Sequence, residues 1–321
     1  MASQPGNKHT DKHPDSPSGK PPGWRAKLRA WWEGDAAGAD DMADGQPYAA
    51  EAEPPPPDPE DTEPTIASWP PRRLAVVQTL FGEGFDKPGG EALIRQLTQP
   101  LGLNPNHSIT ELGCGMGAMT RLLAREGMWV DAWDSDAALV DTGLGLARKE
   151  GLKQRTNIRA SSLDDIQFKR RSIDAVLSKE GLIGVQDKRL LLAKLRGALR
   201  PGGQLMFTDF LLTGSEESRV YEVWLEREPV KPHLLTLEGL QAELESLNYT
   251  VMFLEDVSQE YKAALLDAFS AYAAQIKLQG ANADPIERDW AISEGEHWAI
   301  RLSAMDAGCI RLYRCFCRVN D

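Results

Sequence analysis

The chain is poor in the residues that metal centres and stapled folds are built from, with four cysteines and five histidines in 321 residues. Cys114, Cys309, Cys315 and Cys317 fit neither the ligand spacing of a zinc site nor a disulfide framework. His107, His233 and His297 stand apart from one another, so no metal site is expected. Buried thiols in a reducing compartment are the expected use of the cysteines. No apolar run approaches the length of a membrane span, and the polar N-terminus has no signal-peptide core, so a cytoplasmic protein is expected. A basic stripe is also missing, and the net charge of −12 argues against a nucleic-acid partner. Residues 34–65 contain no lysine or arginine at all, against ten acids and the run Pro54-Pro55-Pro56-Pro57. Such a segment cannot bury enough apolar surface to offset the entropy lost on ordering. The expectation is a disordered tail over 1–65 and one domain over 66–321. Within the tail, Trp24, Leu28 and Trp31 fall on one helical stripe, with Arg25, Lys27 and Arg29 off it. A short basic-aromatic helix near 24–32 could dock peripherally on the inner membrane surface, dock on a protein, or pack on the chain's own core.

What is present concentrates in Ser108–Gly117. A short apolar run with Ile109 and Leu112 ends in three alternate glycines, Gly113, Gly115 and Gly117. A helical pattern opens at Ala118, and a second apolar run, Met128–Val130, leads into Asp134 and Ser135. Strand, glycine turn, helix, strand, acid is the front end of a nucleotide-type α/β fold, in which the acid can accept from both ribose hydroxyls. Dinucleotide folds space their glycines Gly-x-Gly-x-x-Gly and aim helix N–H groups at a pyrophosphate. Here the pattern is Glu111-x-Gly113-x-Gly115-x-Gly117, so redox chemistry on a nicotinamide dinucleotide does not fit. An ordinary strand-to-helix turn is the bland alternative.

Further strands are expected at 157–160, 172–178, 204–211, 249–254 and 310–319. Helices are expected at 72–81, 91–99, 137–149, 187–199, 236–247 and 260–278. The Arg200-Pro201-Gly202-Gly203 turn should end the helix before it. This alternation predicts a doubly wound, seven-stranded, mostly parallel sheet. The last strand follows a long connection and could insert antiparallel beside the sixth.

The Glu111–Gly117 block resembles the first motif of class I S-adenosylmethionine-dependent methyltransferases, whose sheet is Rossmann-like. Other blocks narrow the resemblance: Phe81-Gly-Glu-Gly-Phe85 ending in Gly89-Gly90, Ser178–Lys188, Leu199–Gly203, and Phe207-Thr208-Asp209-Phe210. Together, over about residues 74–255, they resemble the phosphoethanolamine N-methyltransferases. The resemblance implies S-adenosyl-L-methionine as cofactor, with Glu111, Gly113, Gly115, Gly117, Asp134, Ser135, Ser162, Leu163 and Lys179 in its site. It implies methyl transfer to a small molecule, at an amine nitrogen, with Glu180 and Asp209 as the bases or orienters. Glu180 stands where the family has an aspartate facing the substrate amine. Several acceptor-side residues depart from the family. Its histidine is Gly184 here, a tyrosine is Val77, and another tyrosine is Phe210; an arginine and a tyrosine expected near Val230 and Pro232 are missing, although Lys231 remains. A phosphate dianion needs paired donors, so phosphoethanolamine itself is not the expected acceptor. Tyr221 and Trp224 could face a cationic substrate or pack a cap helix. The contrasting expectation is a methyltransferase fold kept as a binding or scaffold module without activity.

Overall fold

The computed structural model describes residues 68–214, 216–279 and 284–320. The expectations for the tail and for the segment at 24–32 lie outside the described residues. Seven strands form one sheet: β1 (Ser108–Leu112), β2 (Trp129–Asp134), β3 (Thr156–Ala160), β4 (Ile173–Lys179), β5 (Leu199–Leu212), β6 (Tyr249–Asp256) and β7 (Ile310–Val319). Their order is β3-β2-β1-β4-β5-β7-β6. β7 is antiparallel to both of its neighbours, and the remaining pairs are parallel. The expected doubly wound sheet is therefore present.

The helices are α1 (Pro71–Phe81), α2 (Gly90–Thr98), α3 (Ala118–Arg125), α4 (Ala137–Lys149), α5 (Lys188–Ala198), α6 (Arg219–Arg227), α7 (Leu237–Ser246), α8 (Ser258–Gln279) and α9 (Pro285–Asp306). Short polar caps set several of their starts. Asp136 accepts from the N–H groups of Ala138 and Leu139 at 2.9 and 3.1 Å, and Asp187 accepts from Leu190 at 2.8 Å. β1 and β4 are buried on both faces, as strands covered by helices on each side must be. One core face gathers Leu112, Val176, Leu205 and Phe207, and the other gathers Ile109, Ala175, Leu177 and Met206. Among the described residues no helix is long and apolar enough to cross a membrane.

β7 inserts antiparallel beside the sixth strand, as expected, and pairs with β5 on its other side. Two features differ from expectation. β5 begins at Leu199, so Arg200–Gly203 lies within it; between Leu199, opposite Ile173, and Gln204, opposite Ala175, extra residues bulge out around Gly202 at φ +74°. The long connection before β7 contains α9, a 22-residue helix that packs against α1, α6 and α8. Its inward stripe carries Glu294, His297 and Arg301 beside Trp290, Ala291 and Trp298. Charged residues on the buried face break the apolar periodicity from which helices are read.

Candidate active site

The strand order reverses between β1 and β4, and chains leaving those strands in opposite directions open a crevice at their carboxyl ends. The loop after β1 fits there only because it is made of glycine. Gly113 has φ +67°, and a Cβ on it would lie 2.2 Å from the Cα of Gly181 in the loop after β4. A Cβ on Gly115, at φ +54°, would lie 2.3 Å from Asp86 Oδ1. Gly117 turns the chain into α3. The loop is tied to β2: Trp133 carbonyl accepts from the N–H groups of Gly113 and Cys114, at 2.8 and 3.0 Å. Asp134 Oδ2 accepts from Gly115 N–H at 2.7 Å, and Oδ1 from Asp136 N–H at 2.9 Å. Each oxygen keeps a second lone pair for a ligand hydroxyl.

A cavity of about 240 Å³ opens at this point. Gly113, Asp134, Ser135 and Leu163, all expected in the cofactor site, line it, and so does Glu180. Glu111, Gly115, Gly117, Ser162, Lys179 and Asp209 do not. Glu111 is buried under the loop, accepts from Thr120 Oγ1, and borders a smaller pocket with Gly113 and Lys179. Burial pushes its carboxyl up to about 8, with the Thr120 hydrogen bond opposing. Ser162 is exposed and holds the turn after β3. Lys179 Nζ donates to Pro88 carbonyl and to Glu180 Oε1, both at 2.9 Å.

Asp209, expected as a base or orienter, lies outside the cavity lining. Side chains alternate along β5, so Asp209 faces away from Thr208 and Phe210. It is buried against Lys188 at the start of α5, and its Oδ1 accepts from Phe210 N–H at 3.0 Å. Its partner is Lys188 of α5, and it is not among the residues that line the cavity. Tyr221 and Trp224 are also buried and do not line the cavity; Trp224 Nε1 donates to Glu228 Oε1 at 2.5 Å.

Glu180 holds the opposite position. It has a left-handed φ of +56°, uncommon for a glutamate, and its N–H is bound by Thr208 carbonyl and Oγ1 at 3.1 and 3.0 Å. Its side chain is 3% exposed, and Oε2 has no hydrogen-bond partner. A buried carboxylate oxygen without a donor is costly unless a ligand supplies one.

The far wall was not legible as a site. Arg301 Nε and Nη2 grip Glu228 at 2.8 and 2.6 Å, and Nη1 donates to the Tyr261 hydroxyl at 3.3 Å. Arg73 Nε pairs with Glu294 at 2.5 Å, and its guanidinium lies 3.7 Å over the Trp69 ring. His297 Nε2 lies 3.3 Å from Arg301 Nη2; burial, then the Arg301 charge, hold its imidazole down at about 3, so it stays neutral and accepts. Lys87 pairs with Asp86 at 3.0 Å; burial alone would lower its ammonium, but Asp86, Asp134 and Glu180 outweigh that and raise it. Every cation lining the cavity is thus partnered, and carboxylates outnumber cations there. The four cysteines are buried thiols, and Cys315 and Cys317 share one face of β7 with sulfurs 3.4 Å apart. Among the described residues no cluster of His, Cys, Asp or Glu could hold a metal ion.

The fold and this crevice define a class I S-adenosylmethionine-dependent methyltransferase fold, and comparison with known proteins agrees. The family described as "Methyltransferase domain" matches residues 110–207. Phosphoethanolamine N-methyltransferase 3 of Arabidopsis thaliana is 22% identical over 188 residues, 59% of this chain and 38% of that protein. The chain therefore spans about two fifths of the length of the first curated relatives it matches. Phosphoethanolamine N-methyltransferase 2 of Haemonchus contortus, solved with S-adenosyl-L-methionine, superposes with a TM-score of 0.69 at 18% identity, covering 77% of this chain and 57% of that one. Geranyl diphosphate C-methyltransferase of Streptomyces coelicolor, solved with Mg2+, geranyl diphosphate and S-adenosyl-L-homocysteine, superposes at 0.54 and 15% identity, covering 71% and 78%. The resemblance to the phosphoethanolamine N-methyltransferases holds; a carbon methyltransferase shares the same fold.

Proposed function

We propose that this chain is an S-adenosylmethionine-dependent methyltransferase that methylates an amine nitrogen of a small molecule. The observation that carries this is the pairing of two halves in one cavity: the Gly113 loop with Asp134, and the unpartnered Oε2 of Glu180. The residues present suit the cofactor. Asp134 retains lone pairs for the ribose hydroxyls, Leu163 and Leu139 offer apolar walls for a base, and the carboxylate excess suits a ligand of net positive charge.

When bound, S-adenosylmethionine supplies a methyl group on a sulfonium that departs as a neutral thioether, keeping the bonding electrons. The chain then has to hold the acceptor nitrogen near attack distance and keep water out. Glu180 Oε2 accepts a hydrogen bond from the ammonium, orients it, and takes the proton the nitrogen must shed before its lone pair can form the new bond. No lining cation among the described residues is left to bind a phosphate dianion, which supports an acceptor other than phosphoethanolamine.

Two variants separate the halves. Asp134→Ala should weaken S-adenosylhomocysteine binding about 10- to 100-fold in calorimetric titration, the worth of charge-assisted bonds to two hydroxyls. An unchanged affinity would remove Asp134 from the site. Glu180→Gln should leave that affinity within about threefold while lowering kcat/KM for amines about 10- to 100-fold. Equal rates for the two enzymes would end the assignment of Glu180 as acceptor ligand.

A further inference from the structure

A second, smaller cavity meets the first at Glu180. It lies between α2, the start of α8 and the β5–β7 pair, and its volume is about 40 Å³. Its exposed surface is mainly apolar, with Leu93, Leu97, Val257 and Leu312 in the wall alongside Gln96, Lys179, Glu260 and Arg314, and with Thr208 and Tyr261 beside Glu180. An apolar chain gains from the apolar part of this wall what water does not. At roughly 10–15 Å³ for each water-sized group, the space takes about three of them.

Resting on the amine reading above, we propose that this cavity is the subsite for the acceptor's substituent, and that the acceptor is an amine bearing an uncharged apolar chain of about three carbons. Its ammonium meets Glu180 Oε2, and its chain runs between Leu97 and Leu312. The geometry around Glu180 supports this division. Arg301 Nη1 donates to the Tyr261 oxygen at 3.3 Å, and Tyr261 lines the small cavity beside Glu180. Glu180 borders both cavities, with Lys179 on its Oε1 and no protein donor on its Oε2.

A zwitterionic acceptor is the chemical rival, because Arg314 also borders the small cavity. That guanidinium is already bound to Glu255 Oε2 at 2.5 Å and lies against the Phe253 ring. A carboxylate arriving there would have to share that guanidinium with Glu255, through the unpartnered Nε, whereas an alkyl chain needs no charged partner.

The test uses the full chain with S-adenosylmethionine and a series of primary n-alkylamines from methyl to hexyl, with β-alanine and phosphoethanolamine alongside. Two quantities are read: the rate of S-adenosylhomocysteine formation, and the rise in Tm that each amine adds to the complex with S-adenosylhomocysteine. Both should climb to propylamine or butylamine, kcat/KM by about three- to fivefold for each methylene, and then level or fall. Leu93→Phe and the larger Leu93→Trp narrow the cavity from its half-buried rim. They should move the optimum to a shorter amine while leaving S-adenosylhomocysteine affinity within twofold. Methylation that ignores chain length, or that favours β-alanine or phosphoethanolamine over propylamine, overturns the subsite and leaves the amine reading standing. If no amine is methylated or raises the Tm while S-adenosylhomocysteine still binds, the amine reading falls and the subsite with it.

Discussion

Arg301→Met is expected to destabilise the protein by about 3–5 kcal/mol, the usual consequence of leaving a buried charge without its partner. Glu228 is 3% exposed at the end of α6, and Arg301 supplies two of its hydrogen bonds from α9. Without Arg301 only the Trp224 indole N–H donates to it. The same guanidinium orders Tyr261 and His297, so one substitution loosens three elements around the cavity. Urea unfolding of the single variants and of Arg301→Met/Glu228→Leu forms the decisive cycle. The double variant should recover most of the loss, because well-packed apolar groups replace a buried pair at little cost. A single-variant loss below about 1 kcal/mol would mean that the pair is solvated and does not wall the cavity. The imidazole of His297 should also become easier to protonate, since the Arg301 charge, after burial and ahead of Arg73, holds it down.

Glu111→Gln should change how stability depends on pH more than it changes stability at any one acidic pH. The carboxyl sits at about 8 in the folded chain, against an ordinary value of 4.5. Between those values the folded state holds a proton that the unfolded chain releases, so stability falls as pH rises through that window. The full effect above about pH 8 is on the order of 5 kcal/mol. Gln keeps an oxygen for Thr120 and has nothing to titrate. The stability difference between Glu111→Gln and the parent should therefore grow in the variant's favour from about pH 5 to 8 and stay flat beyond. His297 acts in the opposite sense: held at about 3 from an ordinary 6.5, it adds stability as pH rises between those values. It is common to both proteins, so the comparison isolates Glu111. Parallel urea titrations at pH 5.5, 7.0 and 8.5 measure it, and parallel profiles would show that Glu111 is solvated rather than sealed under the glycine loop.

These two residues mark where the primary structure is informative and where it falls silent. Glu111 was visible in the spacing of three glycines, but its depth was not. It reads as a cofactor-site acid in the motif, and in the fold it is buried by the loop, bound to Thr120, at the edge of a small pocket. Asp209 shows that a short match does not say which face of a strand meets the cavity. Arg301 and Glu294 carry no signal in the sequence, and His297 reads there only as a lone histidine, for a different reason. They occupy core positions of α9, so they erase the apolar stripe by which a helix is recognised. A search for any 3.6-residue periodicity, with Trp290 and Trp298 as anchors, would have found the helix though not its partners.

Local order along this chain was determined by sequence alone. Glycine spacing, strand-length apolar runs and capping acids at Asp136 and Asp187 act through near neighbours, and they specified the sheet, the crevice and the cofactor half. The tertiary structure alone decided the acceptor half. Arg73 reaches Glu294, 221 positions away, and Arg301 reaches Glu228, 73 positions away. Charges that far apart along the chain become partners only when packing excludes water between them. That desolvation, invisible in a linear reading, ties each lining cation to a carboxylate and leaves Glu180 Oε2 without a donor.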